Sequence, residues 1–169
     1  MEEEVVLSPS QTPGPMFGYA LVFDGSERAV EPDAPGAVVV AGRILDGDGA
    51  PVGYPDCLVE VWRGDEWTRS RTDEDGAYRV VLTKPQPATL EGVGVEAPYL
   101  NVSVFARGLL RAVETRLYFP DEEAANAADP VLQLVPAERR HTLVAVRDGD
   151  VLRFDVHLQG DRETVFFAS

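Results

Sequence analysis

Several things are scarce in this chain, and each scarcity excludes a class of chemistry. There is one cysteine, Cys57, in 169 residues, so no intrachain disulfide and no thiolate zinc site can form. There are two histidines, His141 and His157, and no His-x-His. No Gly-rich phosphate loop and no nucleophile elbow is present. No apolar run approaches the ~18 residues that a membrane span requires. Cations are also short: the formal net charge is −14, which argues against nucleic acid or an anionic membrane as partner. Of the 15 basic residues only Lys84 is a lysine, so arginine supplies the planar donors that pair with carboxylates. The start, Met1-Glu2-Glu3-Glu4, carries the wrong charge for a signal peptide, and the expected location is the cytoplasm.

What is present reads as an all-β fold. The 44% hydrophobic fraction is ordinary for a globular chain, and 169 residues suit one domain. Leu100, Val102 and Val104 alternate with Asn101, Ser103 and Phe105, the period of a half-buried strand. Further strands are expected over 37–45, 58–63, 78–82, 141–147 and 151–158, with an edge strand over 164–167. Asp46-Gly47-Asp48-Gly49, Asp73-Glu74-Asp75-Gly76 and Asp148-Gly149-Asp150 supply turns. Asp46/Asp48 and Asp73/Glu74/Asp75 are also conceivable weak calcium ligands, although acidic hairpin turns are usually just turns. Thr89 to Ala97 reads as a Gly-rich loop. One helix of about two turns is expected after Pro120, where Asp121, Glu122 and Glu123 precede an alanine-rich run. The whole, 1–169, is expected to be a single β-sandwich domain of mainly antiparallel strands with an extended N-terminal arm over 1–18.

Two features stay open on residue chemistry alone. The arm holds Pro9, Pro13 and Pro15, which keep it extended; it is either a disordered tail or a stiff docking segment. Arg107, between Ala106 and Gly108, is either a solvated turn residue or a charge delivered to a site. His157 shares a strand face with Arg153 and Asp155, which suits a solvated face better than a ligand. No catalytic constellation emerges. A β-sandwich binding or structural module with no enzymatic partner remains the alternative at this point.

A set of ordered motifs adds to this. They are Pro9-Ser10-Gln11-Thr12-Pro13-Gly14-Pro15, Leu58-Val59-Glu60-Val61-Trp62, Asp75-Gly76-Ala77-Tyr78, Asn101 to Gly108, Thr115-Arg116-Leu117-Tyr118-Phe119, Arg153-Phe154-Asp155 and Gly160 to Phe167. In these the chain resembles the intradiol ring-cleaving dioxygenases, and within them the α subunits of the protocatechuate 3,4-dioxygenases. The resemblance implies two related β-sandwich subunits, with a mononuclear Fe(III) held on the β subunit by two tyrosines and two histidines. The histidine positions, in a Pro-x-His-x-His strand, fall here on Tyr99 and Asn101. The tyrosine that follows a Pro-Gly-Pro run falls on Ala88. The loop that supplies the other tyrosine is cut short between Trp62 and Thr72 and has no tyrosine. The resemblance therefore implies no metal and no catalytic residue in this chain.

It implies service to another subunit instead. The family's substrate-facing α residues fall on Thr12, Gly14, Pro15 and Arg107. The expected partner is an iron-binding β subunit. The expected reaction joins protocatechuate and O2 to give 3-carboxy-cis,cis-muconate. A guanidinium suits the protocatechuate carboxylate, Thr12 can donate a hydroxyl, and Gly14 allows close backbone approach. Met16, at the same mouth, has no defined role. Met16, Phe17, Phe166 and Phe167 are candidate interface residues.

Overall fold

The computed structural model describes residues 20–90 and 92–168. The arm over 1–18, with Thr12, Gly14, Pro15, Met16 and Phe17, lies outside the described residues.

Two sheets face each other. One is built around β1 (Ala37–Leu45), whose run of small and branched apolar residues suits a strand covered on both edges. The antiparallel β4 (Ala77–Thr83) lies along one edge of β1, Val40 opposite Val80. Along the other edge run β10 (Val151–Arg153) and β11 (Val156–His157), both parallel to β1. β9 (Val146–Asp148) completes this five-stranded sheet as the antiparallel neighbour of β10, across the Asp148-Gly149-Asp150 turn.

The second sheet has four strands in the order β3 (Glu66–Arg71), β2 (Cys57–Arg63), β7 (Tyr99–Ala106), β8 (Val113–Tyr118), all antiparallel. The alternation in β7 sends Leu100, Val102 and Val104 inward against Val59 and Val61 of β2 and against Val40, Val80, Leu82 and Leu152 of the first sheet. Asn101, Ser103 and Phe105 take the other face. Burying these branched side chains stabilises the sandwich by roughly 1.5–3 kcal/mol each before entropy is subtracted.

One contact fixes how β10 bends into β11. The Phe154 carbonyl passes so close to Gly42 that a Cβ there would sit 1.8 Å from its oxygen. The buried Tyr78 hydroxyl donates to the same oxygen at 2.7 Å, and Phe154 N donates to Ala41 O at 2.9 Å.

Several expectations change. The shortened segment between Trp62 and Thr72 is a tight hairpin leading into β3, which was not expected as a strand. Thr89 to Ala97 is not a plain loop, since β5 (Ala88–Leu90) and β6 (Gly94–Glu96) form a two-stranded ribbon. The start of 141–147 is a 3-10 helix, Ala137–Leu143, so His141 is exposed on a helical turn rather than on a strand. Residues 164–167 make one bridge, Phe167 to Glu114, rather than a strand. The helix after Pro120 is α1 (Glu123–Ala128), followed by a 3-10 turn, Leu132–Leu134. Among the described residues no helix is long and apolar enough to cross a membrane.

Candidate functional site

β7 has two ends of opposite character, and the residues singled out from the sequence divide between them. The strand has eight residues, so its ends stand roughly 23 Å apart at about 3.3 Å per residue.

At the C-terminal end the chain turns sharply. Gly108 has φ +93°, a left-handed conformation that favours glycine, and a Cβ there would meet nothing within 4 Å. The requirement is therefore conformational rather than steric. Arg107 precedes this turn with its side chain 77% exposed. Its amide donates to Asp56 O at 2.8 Å, extending the β2–β7 ladder past the Cys57–Ala106 pair. Its Nη1 lies 3.4 Å from Asp56 Oδ1. Leu110, 83% exposed, projects from the same tip. Arg107 thus opens the turn and leaves a guanidinium on the surface.

At the N-terminal end the fold gathers the positions that the resemblance assigns to metal ligands. Ala88 on β5 is the cross-strand partner of Glu96 on β6. Tyr99 follows three residues later and donates its hydroxyl to Glu96 Oε2 at 3.3 Å. Asn101 is opposite Arg116 on β8 and Trp62 on β2, and its Nδ2 donates to Trp62 O at 3.4 Å. Arg63, at the shortened β2–β3 hairpin, brings a guanidinium to the same end.

What fills this place is a set of ion pairs. The Arg63 and Arg116 guanidiniums each lie 3.9 Å from the centroid of the Tyr99 ring. Glu96, 3% exposed, pairs with Arg116 at 2.8 Å and with Arg63 at 3.8 Å. Arg116 also donates to the Tyr118 hydroxyl at 3.4 Å, and Tyr118 donates to Asp129 Oδ1 at 3.1 Å. Asp129 is fully buried and accepts from the amides of Ala97, Val131 and Leu132. Burial, partly offset by Arg116, raises the Tyr118 phenol well above its ordinary range. The network ties β2, β6, β7, β8 and the 3-10 turn together with every charge opposed.

A ferric centre does not fit these residues. Ala88 has no donor atom and Asn101 offers only a neutral amide. The Tyr99 phenol already donates to a buried carboxylate and lies between two cations, which would repel a trivalent ion. Among the described residues no group of three or more His, Cys, Asp or Glu is placed to hold a metal. The acidic turns are occupied by their own backbone: Asp46 accepts from Asp48 and Ala50, and Asp73 from Asp75 and Ala77. His157 is half-buried near Arg162, away from β7's ends.

Reading the sequence missed Arg63, Glu96 and Arg116 as a unit. They lie 33 and 20 residues apart, and only the strand register brings them together.

Comparison with known proteins follows from this geometry. No family model matches the chain. The chain is 40% identical over 193 aligned residues to the protocatechuate 3,4-dioxygenase alpha chain of Burkholderia cepacia, covering 95% of this chain and 96% of that one. It is 27% identical over 154 residues to the beta chain from the same organism, covering 73% of this chain and 64% of that one. Among solved structures, the dioxygenase domain of a dioxygenase–carbohydrate-binding protein fusion from Streptomyces sp. SirexAA-E superposes with a TM-score of 0.59. It covers 95% of this chain and 96% of that domain at 19% identity, a likeness of fold.

Proposed function

Because the chain belongs to the protocatechuate 3,4-dioxygenase alpha-chain family of intradiol dioxygenases, we propose that it acts as the non-iron subunit of a heteromeric ring-cleaving enzyme. Its partner is a homologous β chain that carries Fe(III). The assembly cleaves protocatechuate with O2 to 3-carboxy-cis,cis-muconate. This chain presents Arg107 to the substrate carboxylate at the partner's site, with Thr12, Gly14 and Pro15 of the arm in the same contact. A cytoplasmic setting belongs to the same proposal.

The observation that carries this reading is the polarity of β7. The end with the ligand positions is closed by its own ion pairs. The other end, roughly 23 Å away, exposes the Arg107 guanidinium, which no side chain among the described residues buries. Its distance from this chain's own ligand positions supports the reading that it serves a partner's site. A charge-assisted hydrogen bond from a guanidinium to a carboxylate is worth ~1.5–3 kcal/mol net. Arg107→Ala in the assembled enzyme is therefore expected to raise KM for protocatechuate by ~10–100-fold. Unchanged kinetics would leave Arg107 as a turn residue. Stoichiometric iron bound tightly to this chain alone would refute the division of labour.

A further inference from the structure

We propose that Asp56 is a positioning residue for Arg107, holding its guanidinium where a substrate carboxylate can be received. This rests on the reading of Arg107 given above. An exposed arginine with four rotatable side-chain bonds is a poor receptor by itself, because fixing those rotors on binding costs entropy. Arg107 is 77% exposed, so packing does not fix it. Asp56 does so from two directions. Its carbonyl accepts the Arg107 amide at 2.8 Å, which sets where the side chain starts. Its carboxylate lies 3.4 Å from Nη1, which sets where the side chain ends.

Asp56 is itself held. Its amide donates to Gly53 O at 2.9 Å, and the neighbouring Tyr54 amide donates to Asp73 O at 3.0 Å. Gly53 packs so closely on the Asp73–Glu74 turn that a Cβ would come within 2.6 Å of Asp73 O. The 53–56 loop is therefore pinned to the turn before β4, and the carboxylate stands on a fixed platform. A guanidinium has five N–H donors in a planar fork. Asp56 engages one, which leaves the rest of the fork for a second carboxylate.

Asp56 could act instead as a competitor, an internal anion that the substrate must displace. The two roles give opposite signs. Positioning wins if one guanidinium serves both carboxylates, since each is then paired and their mutual repulsion is screened by water at an open surface.

The test is steady-state kinetics of the assembled heteromer carrying Asp56→Ala, Asp56→Asn, Arg107→Ala, and Asp56→Ala with Arg107→Ala. The substrates are protocatechuate and catechol, which lacks the carboxylate. Asp56→Ala is expected to raise KM for protocatechuate about twofold to fivefold, with kcat unchanged. Asp56→Asn, which keeps an acceptor oxygen, is expected to fall between it and the unmodified enzyme. For catechol, and in the Arg107→Ala background, Asp56→Ala is expected to change nothing. If KM falls or stays fixed in Asp56→Ala while Arg107→Ala raises it, the positioning role is overturned and the reading of Arg107 stands. A rise that persists in the Arg107→Ala background also overturns it, since Asp56 would then act through the fold. If neither variant moves KM, the reading of Arg107 fails as well.

Discussion

Replacing Glu96 by glutamine tests the ion-pair network at its centre. Glu96 is 3% exposed and serves Arg116 at 2.8 Å, Arg63 at 3.8 Å and the Tyr99 hydroxyl at 3.3 Å. Glutamine keeps the shape and one acceptor oxygen but removes the charge. Two guanidiniums then remain packed on one aromatic ring with no carboxylate between them. Breaking a buried pair in this way costs about 3–5 kcal/mol when both partners are fully desolvated. Here Arg63 and Arg116 keep 22% and 19% of their side-chain surface in water, so part of the penalty is relieved. The expected loss is ~2–3 kcal/mol, or a Tm lower by ~5–10 °C for a chain of this length. A urea titration of the purified chain, followed by the fluorescence of Trp62 and Trp67, measures it. Pairing Glu96→Gln with Arg116→Met should cost less than the sum of the single changes, because the orphaned cation is gone. If Glu96→Gln unfolds within ~0.5 kcal/mol of the unmodified chain, the network is solvated and the argument that it closes this end of β7 fails.

Two further changes probe the frame. Gly42→Ala would place a Cβ 1.8 Å from the Phe154 carbonyl oxygen, so β10 and β11 must move off β1. A loss of more than ~3 kcal/mol is expected from this backbone clash, read by thermal unfolding; tolerance of alanine would show that the close approach is not required. His157 has its affinity for protons lowered below the ordinary 6.5, first by burial and then by Arg162, against an opposing effect of Asp155. The unfolded chain then binds the proton more readily, so stability is fully present above about pH 6.5 and declines as pH falls through the folded value. His157→Gln should flatten that decline in melts between pH 7 and 5, and an unaltered profile would remove His157 as its source.

Strands rich in branched apolar residues were legible: β1, β2, β4 and β7 fall on segments expected as strands. β3 was not, because its inward residues are Thr68 and Ser70 rather than apolar ones. Thr68 is fully buried only because its hydroxyl donates to Val61 O at 2.8 Å, a bond that composition does not announce. β5 and β6 have three residues each and expose Leu90, Val93 and Val95, so pairing alone defines them. The 141–147 segment misled because Leu143 is buried, as a strand residue would be, on a turn that follows Pro136. At the site, the exposure of Arg107 was foreshadowed by Gly108, whereas its partner Asp56 was not. That pairing depends on the register Cys57–Ala106, which closes a loop of some fifty residues.

The acidity of the chain bears on this tip less than its magnitude suggests. A formal charge of −14 would repel a carboxylated ligand if it acted as a whole. At physiological salt, charges on the surface are screened beyond about 8 Å, so a ligand at the β7–β8 tip senses only what lies close. Arg107 and Arg111 lie in that turn, and Arg107 pairs with Asp56 at 3.4 Å. Of the other cations of this sheet, Arg63 and Arg116 pair with Glu96 and Arg69 with Glu60, while Arg71 lies over the Tyr54 ring. The two ends of β7 therefore differ: guanidiniums paired with a buried carboxylate at one, and an exposed guanidinium paired with a surface carboxylate at the other.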